Sequence, residues 1–356
     1  MRKIQEEGEA VKDIHGRNID YMRISITDRC NLRCKYCMPE GIDCVKRWEI
    51  LSLEEIREIV ACGASLGIRH IKITGGEPLV RKDCCHLVEL LKSVSGIETV
   101  TITTNGVLLE PYLKPLLKAG IDGINISLDT LERNLYQEIT GQDQLDQVLK
   151  AIRQAVDYGI LVKVNAVAAK FREEKGSEAG NWRGLVELAR RLPVHVRFIE
   201  MMPVGYGKSF QSTDPKMLLE EIRREYPGLK KDERMHGFGP AVYYRIPGFL
   251  GSIGVIRAMH GKFCGECNRV RLTSQGFLKG CLCYEDGVDL RALLRDGAEM
   301  PEQDKHYQWI KRENEAEIQR RLKEAMRRVI WEKPAAHCFE RPERMTERRG
   351  MSAIGG

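Results

Sequence analysis

Short runs rich in β-branched residues recur along the first part of the chain, and segments with helical periodicity separate them. The runs cover residues 22–26, 71–74, 100–103, 124–127, 162–167 and 194–199. The segment Ser52–Ala64 opens with a helix-capping pattern, and Gly67, Gly120 and Gly159 each precede a run where a helix would stop. This alternation predicts a parallel sheet covered by helices. Six units are too few for a closed eight-stranded barrel, so the pattern fits an open barrel and a doubly wound sheet equally well.

The alternation of strands and helices ends near residue 205. Beyond it follow a helix-like stretch, Asp214–Glu225, hairpin-like strands near residues 242–244 and 253–256, and loops that contain cysteines. We therefore expect two regions, residues 1–204 and residues 205–356.

The composition narrows the class of protein. The chain has 356 residues, of which 42% are hydrophobic and 30% charged, as in ordinary globular proteins. The net charge of +6 suits an anionic ligand but is small for a nucleic-acid coat, and the mixed charges of Asn314–Arg328 predict an exposed helix. No apolar run reaches the about 20 residues of a membrane span, and the N-terminus lacks the apolar stretch of a signal peptide. We expect a cytoplasmic protein with no membrane or nucleic-acid partner.

Twelve cysteines are present, and three of them fall in one short segment. In a reducing compartment, clustered cysteines indicate metal binding or catalysis rather than disulfides. Cys30, Cys34 and Cys37 form a C-x3-C-x2-C run directly after the first predicted strand. Zinc sites favour four ligands, whereas three cysteines on a 4Fe-4S cluster leave one iron open to a ligand that is not protein. The spacing therefore predicts an iron–sulfur cluster that takes part in chemistry.

This run, with Tyr36 before its last cysteine, resembles the signature of the radical S-adenosylmethionine (SAM) superfamily. Gly75-Gly76-Glu77-Pro78 follows the second predicted strand, where that superfamily binds the amino acid part of SAM. Glycines permit close approach of a backbone, and Glu77 can pair with an ammonium group. The resemblance implies an α/β fold, an incomplete (β/α)6 barrel of TIM type, with a C-terminal α+β extension that covers its open side.

A second group consists of Cys264 and Cys267, with Cys281 and Cys283 downstream. On spacing alone this group is also compatible with a zinc ribbon. The surrounding segment Phe263–Thr273 resembles one branch of the superfamily, the GTP 3′,8-cyclases of molybdenum cofactor biosynthesis. Further matching segments run through nearly the whole chain, at residues 13–17, 23–30, 103–106, 127–129, 163–165, 198–202 and 351–356. The resemblance implies that Cys264, Cys267 and Cys281 hold an auxiliary 4Fe-4S cluster whose open iron meets the guanine of GTP.

The resemblance also implies which residues bind SAM and GTP. Cys30, Cys34 and Cys37 would hold the SAM cluster, and the residues that contact SAM would be Tyr36, Gly76, Glu77, Ser127 and Met202. GTP would be surrounded by Arg23, Lys72, Thr103, Lys163, Arg269 and Arg271. A triphosphate carries about four negative charges, which such cations match. The C-terminal Gly355 and Gly356, which have no side chains, would thread into the active site.

The implied reaction converts GTP to (8S)-3′,8-cyclo-7,8-dihydroguanosine 5′-triphosphate. An external one-electron donor drives cleavage of SAM, and the resulting 5′-deoxyadenosyl radical takes hydrogen from C3′ of GTP. The carbon radical adds to C8, and reduction of the resulting nucleotide radical gives the product. The implied downstream partner is cyclic pyranopterin monophosphate synthase, and both a monomer and a homodimer fit the sequence. Two alternatives remain open at this point: another two-cluster radical SAM enzyme with a different substrate, and a zinc-ribbon nucleic-acid-binding module.

Two positions depart from the family pattern. Lys72 stands where the family has arginine, and lysine keeps the charge but lacks the two-pronged donor geometry of arginine. Cys283 has no family counterpart and lies two residues from Cys281, so in a strand the two side chains would point to opposite faces, which favours Cys281 as the ligand. The other cysteines are expected to be packing or surface thiols: Cys44, Cys62, Cys84, Cys85 and Cys338.

Overall fold

The computed structural model describes residues 11–41, 45–171, 182–296 and 315–354. Its strands are β1 (Tyr21–Ser25), β2 (His70–Thr74), β3 (Thr99–Thr104), β4 (Gly123–Ser127), β5 (Val162–Ala168), β6 (His195–Glu200), β7 (Lys230–Lys231), β8 (Val242–Arg245), β9 (Ser252–Ile256), β10 (Arg269–Leu272), β11 (Phe277–Lys279) and β12 (Gly287–Asp289). Its α-helices are α1 (Leu53–Ser65), α2 (Cys84–Lys92), α3 (Leu109–Lys118), α4 (Arg133–Thr140), α5 (Leu145–Asp157), α6 (Arg183–Arg191), α7 (Pro215–Glu225), α8 (Leu290–Leu294) and α9 (Glu315–Trp331).

All six predicted strands are present, as β1 to β6, and they lie side by side in chain order as parallel neighbours. A doubly wound sheet would reverse its strand order at a switch point, and this sheet does not. Because parallel crossovers are right-handed, an unreversed order places the helices on one face and leaves the other face inside a partial barrel. The prediction of an incomplete barrel is confirmed, and the doubly wound alternative is wrong.

The C-terminal region extends this sheet at both edges. β10 pairs in parallel with β1 at one edge, and β9 pairs in parallel with β6 at the other. Two antiparallel strands continue each side, giving the order β12-β11-β10-β1-β2-β3-β4-β5-β6-β9-β8-β7. The chain beyond residue 205 therefore contributes strands beside the first and the last strand of the barrel.

The strands bury apolar residues on the helix side and present polar residues to the interior. On β1, Met22 and Ile24 are fully buried, and Arg23 between them points to the opposite face. On β3, Val100 and Ile102 are fully buried, and Thr101 between them and Thr103 after them face inward. The interior of a complete TIM barrel is filled by branched apolar side chains. A polar interior indicates instead that this barrel encloses a ligand.

Local signals in the sequence have their expected effects. Ser52 caps α1, because its hydroxyl accepts from the Glu55 N–H at 3.1 Å while Glu55 accepts from the Ser52 N–H at 2.7 Å. The predicted glycine stops at Gly67, Gly120 and Gly159 have φ angles of 95°, 84° and 73°. No helix among the described residues is long and apolar enough to cross a membrane.

The charged helix near the C-terminus differs from its prediction. The sequence predicts an exposed helix at Asn314–Arg328, and α9 is helical but buries one face through Ile318, Leu322 and Met326. Met326 packs beside Gly63 of α1. The alternating charges cover only the outer face of this helix, so the apolar residues between them attach it to the barrel.

Candidate active site

The two cysteine groups lie beyond opposite ends of neighbouring strands. The first group, within residues 30–37, follows the C-terminal end of β1, whereas Cys264 and Cys267 precede β10, which runs parallel to β1. β11 returns antiparallel to β10, so Cys281, just after β11, comes back toward the start of β10. β1 has five residues, a length of about 16 Å. The polar interior of the barrel therefore separates the two groups.

The loop after β1 presents three sulfurs. A tight turn brings Cys34 and Cys37 together, with the Cys37 N–H donating to the Cys34 carbonyl at 2.9 Å. The Leu32 N–H donates to the Cys30 sulfur at 3.4 Å. Burial raises the pKa of Cys37 to about 12 and that of Cys34 well above its usual value, and the neighbouring thiols add to both shifts. Three partly buried, unbridged sulfurs in one loop fit an iron–sulfur cluster as a donor set.

The Gly-Gly-Glu-Pro segment packs against this loop. A Cβ atom at Gly76 would lie 2.3 Å from the Arg29 carbonyl oxygen, and one at Gly75 would lie 2.8 Å from that of Thr27. Both positions therefore require glycine, because a side chain at either one would collide with the backbone carbonyl of Thr27 or Arg29. This close contact sets the position of the cysteine loop relative to the end of β2.

Glu77 is buried, and both of its carboxylate oxygens already accept hydrogen bonds. Thr104 Oγ1 donates at 2.7 Å and the Leu79 N–H at 3.0 Å to one oxygen, and the Asn105 N–H donates at 2.6 Å to the other. Burial raises the pKa of Glu77 to about 7, against the lowering effect of these donors. Glu77 therefore anchors the loop after β3, and its contact with SAM stays a prediction.

A recess opens beside the first cysteine loop. Predicted residues Cys34, Tyr36 and Ser127 line it, together with Asn105 and Asp129. The Tyr36 hydroxyl donates to Asp129 Oδ2 at 2.8 Å, and Asn105 Nδ2 lies 3.8 Å from the Cys30 sulfur. Burial raises the pKa of Asp129 to about 6. The structure thus brings together one cysteine and two of the predicted SAM contacts.

Met202 lies apart from this recess. It follows β6 and packs against an apolar cluster that includes Val204 and, from the C-terminal region, Cys283 and Ile354. Gly76 and Glu77 also do not line the recess, and they support it from the neighbouring loops. Of the predicted SAM residues, Tyr36 and Ser127 therefore line the recess, Gly76 and Glu77 lie in a neighbouring loop, and Met202 lies against the C-terminal segment.

A row of cations crosses the barrel interior. Arg23 on β1 lies opposite Arg271 on β10 and opposite Lys72 on β2. Burial and the neighbouring cations lower the pKa of Arg271 to about 9 and that of Arg23 to about 10. Burial likewise holds the pKa of Lys72 well below its usual value, and nearby Arg197, Lys163 and Arg23 add to the shift. Buried cations that depress one another's pKa form a site suited to a polyanion.

Arg197 on β6 lies beside these cations, although no motif in the sequence marks it. Its guanidinium donates to Asn165 Oδ1, 2.8 Å from Nε. The Asn125 amide is oriented with its oxygen toward two donors. That oxygen accepts from Lys72 Nζ at 3.0 Å and from Arg197 Nη2 at 2.9 Å. The alternation of side chains between the two faces of a strand could have revealed it, because Arg197 occupies an inward position of an otherwise apolar strand.

Lys163 lies at the start of β5, and Thr103 on β3 faces the interior two strands away. Asn125 on β4, between these strands, is in register with both residues. The Lys163 ammonium donates to the carbonyl of His236, in a loop that covers this end of the barrel. Phe238 of the same loop stacks on His70 of β2, with ring centroids 3.4 Å apart. Burial and Arg197 lower the pKa of Lys163 to about 8.

The second cysteine group has a different electrostatic setting. Burial alone would raise the pKa of Cys267, but Arg269 and Lys333 together lower it to about 6. Arg269 lies over the Phe263 ring at 4.7 Å, and its Nη2 lies 3.9 Å from the Cys267 sulfur. Burial raises the pKa of Cys281. Three sulfurs beside cations form a donor set that also fits an iron–sulfur cluster.

Cys283 has another partner. Its buried sulfur lies 3.1 Å from the sulfur of Cys338, whose N–H also donates to Cys283 at 3.3 Å. Cys62 and Cys84 are buried in the main core, as expected for packing thiols. Cys44 and the tail residues Gly355 and Gly356 lie outside the described residues.

Family models match both parts of the chain. The model of the radical SAM superfamily matches residues 24–175, and that of Molybdenum Cofactor Synthesis C matches residues 194–339. Among solved structures, Streptococcus suis SuiB bound to S-adenosylmethionine is 15% identical with a TM-score of 0.57, covering 83% of this chain and 63% of SuiB. SuiB bound to the precursor peptide SuiA gives 14% identity and a TM-score of 0.57, covering 96% and 71%. The partial barrel and its cysteine loop define a radical SAM fold.

Curated relatives narrow this class. The GTP 3′,8-cyclase of Clostridium perfringens strain SM101 is 38% identical over 348 residues, which cover 97% of this chain and 100% of that protein. The GTP 3′,8-cyclase of Syntrophomonas wolfei is 39% identical over 350 residues, covering 97% and 99%. The chain belongs to the GTP 3′,8-cyclase family. The expectation from the sequence motifs is confirmed, and neither a zinc-ribbon module nor a different branch of radical SAM enzymes describes this chain.

Proposed function

We propose that this chain converts GTP to (8S)-3′,8-cyclo-7,8-dihydroguanosine 5′-triphosphate, the first step of molybdenum cofactor biosynthesis. The observation that carries the proposal is the cation-lined interior between two groups of three cysteines. A nucleotide in this interior would meet one cysteine group at each end. The polar barrel face supplies the cations for its phosphates.

Cys30, Cys34 and Cys37 would hold the cluster that binds SAM. When bound, this cluster would supply the one-electron reduction of SAM that makes hydrogen removal from C3′ of GTP possible. The chain's own contribution is placement and exclusion of water. Tyr36, held by Asp129 and packed against Phe171 and Phe210, forms one wall of the recess for SAM. We assign the remaining SAM contacts to Gly76, Glu77, Ser127 and Met202.

Cys264, Cys267 and Cys281 would hold an auxiliary 4Fe-4S cluster. Support comes from their convergence at the start of β10 and from the cations beside them. Three ligands leave one iron for the substrate base. Cys283 is directed to Cys338 at 3.1 Å, which supports Cys281 as the third ligand.

The triphosphate would lie along the cations of the interior. We assign phosphate or ribose contacts to Arg23, Lys72, Thr103, Lys163, Arg269 and Arg271, and add Arg197. In the free protein Lys72 shares the Asn125 oxygen with Arg197. A lysine at this position still offers a charge that is buried and aimed inward.

The C-terminal segment supports a role for the tail. The Ser352 N–H donates to the Cys37 sulfur, and Gly350 passes against Gly205. Ile354 is fully buried. We propose that Gly355 and Gly356 continue from there into the active site.

We further propose a division into a SAM-binding region, residues 1–204, and a region for the auxiliary cluster and GTP, residues 205–356. The reaction requires an external one-electron donor, and its product would pass to cyclic pyranopterin monophosphate synthase. We place the protein in the cytoplasm, as a monomer or a homodimer, without a nucleic-acid partner.

GTP binding should take up protons near pH 8.5. The pKa of Lys163 is about 8, so a large fraction of its amine is neutral there, and a bound triphosphate would favour the charged form. Affinity should therefore fall as the pH rises above about 8, and the part of the proton uptake that comes from Lys163 should vanish near pH 6, where its amine is already charged. Calorimetry in two buffers of different ionisation enthalpy measures the uptake. Lys163→Met should reduce it, and zero uptake by the unaltered protein at pH 8.5 would contradict the polyanion site.

The proposed reaction is tested by one anaerobic incubation of iron-reconstituted protein with SAM, a strong reductant and GTP. Mass spectrometry should find 5′-deoxyadenosine together with a cyclised nucleotide of the same mass as GTP. Deoxyadenosine without the cyclised nucleotide would retain SAM cleavage and reject GTP as the substrate.

A further inference from the structure

We propose that Lys333 is a positioning residue of the auxiliary cluster, which holds a buried positive charge against the cysteine sulfurs, and that Arg17 fixes Lys333 in this place. The inference rests on the proposal that Cys264, Cys267 and Cys281 bind that cluster. It concerns two residues that lie outside the cysteine motifs.

Lys333 reaches the cysteine group from the segment after α9. It is 3% exposed, and its ammonium donates to the Gly280 carbonyl, next to Cys281, at 2.6 Å. The positive charge of the same ammonium lowers the pKa of both Cys267 and Cys281. It thus lies between the two loops that bring these cysteines together.

A buried ammonium needs an anionic partner, since an unpaired charge is costly away from water. Within the described ranges, Lys333 forms no ion pair with a carboxylate. The other buried lysine close by, Lys279, pairs with Glu347. The sulfurs of the cluster site are therefore the partners that the charge of Lys333 matches.

Arg17 ties this segment to the cysteine loop. Its guanidinium donates to the Cys264 carbonyl and the Pro334 carbonyl, both at 2.7 Å, and to the Ala335 carbonyl at 3.1 Å. Nε of the same guanidinium also forms an ion pair with Asp13 Oδ2 at 2.5 Å. One buried side chain near the N-terminus therefore holds the Cys264 loop and the Lys333 segment together.

The same segment donates to the third cysteine. The His337 N–H points at the Cys264 sulfur at 3.5 Å, while the His337 ring contacts the Ala258 carbonyl at 2.7 Å. Donors and positive charge near cluster sulfurs stabilise the reduced, more negative form and raise the reduction potential. Lys333 supplies the charge, and the segment that Arg17 holds supplies the donor.

The test measures the reduction potential of the auxiliary cluster alone. In full-length protein with Cys30, Cys34 and Cys37 replaced by Ala, only the second group should bind iron, at about four atoms per chain. An EPR-monitored redox titration then compares Lys333→Met, Lys333→Gln and Lys333→Arg. We expect Lys333→Met and Lys333→Gln to shift the reduction potential to more negative values. Lys333→Arg, which keeps the positive charge, should keep the potential near that of the protein with lysine. Glutamine keeps a donor for the Gly280 carbonyl, which protects the fold while removing the charge.

Arg328→Met is the matched control, because it removes a solvated charge from α9 and should leave the potential unchanged. Arg17→Gln should shift the potential in the same direction as Lys333→Gln. An unchanged potential in a folded, iron-loaded Lys333→Gln variant would overturn the inference while leaving the cluster assignment intact. Absence of iron from the triple-alanine protein itself would instead reject the auxiliary cluster at these cysteines.

Discussion

The Cys30→Ala variant should produce no 5′-deoxyadenosine from SAM under reducing conditions. Cys30 lies directly after β1, its sulfur accepts from the Leu32 N–H, and Asn105 approaches it across the loop. Loss of one of three sulfurs leaves a donor set too small for a 4Fe-4S cluster with a single open iron. Quantifying deoxyadenosine by chromatography, with and without GTP, measures the effect.

Iron content separates this loss from unfolding. Cys30→Ala should keep about four irons per chain in the second cysteine group. Cys62→Ala is the matched control, since Cys62 is buried on α1 away from both groups and should leave cleavage near normal. Undiminished deoxyadenosine from Cys30→Ala would remove this loop from the SAM site.

Arg271→Gln should lower kcat/KM for GTP by about 100-fold while sparing SAM cleavage measured without GTP. Charge-assisted hydrogen bonds contribute about 1.5–3 kcal/mol each, and a buried guanidinium can make two to a phosphate. Arg271 lies in the row with Arg23, away from the first cysteine loop. The measurement is the rate of cyclised nucleotide against GTP concentration.

A control removes the same charge from the surface. Arg191, at the end of α6, has 79% of its side chain exposed, and Arg191→Gln should leave kcat/KM unchanged. A wild-type kcat/KM in Arg271→Gln would exclude Arg271 from the substrate site. Equal loss in both variants would point to a general effect of net charge.

The sequence predicted much of the barrel because its local signals agree with its packing. The capping pair Ser52 and Glu55 and the glycines at 67, 120 and 159 act within a few residues, so they are visible without the fold. The first cysteine loop is likewise local. The motifs around these elements were specific enough to indicate the family.

Other features depend on contacts between distant parts of the chain. The pairing of β10 with β1 and of β9 with β6 joins residues far apart in sequence, which periodicity cannot reveal. The carboxylate of Glu77 turned out to bind Asn105 and Thr104, because the loop after β3 folds back over it. Arg197 and Lys333 carried no motif, and only their burial beside other site residues shows what they contact.

The central claim is that hydrogen leaves C3′ of GTP in the interior between the two cysteine groups. Incubation of the reconstituted protein with GTP deuterated at C3′, SAM and reductant tests it most directly. Deuterium should appear in the 5′-deoxyadenosine and be lost from the cyclised nucleotide. Unlabelled deoxyadenosine, formed together with a cyclised nucleotide that keeps its deuterium, would show that hydrogen leaves another position and would contradict the claim.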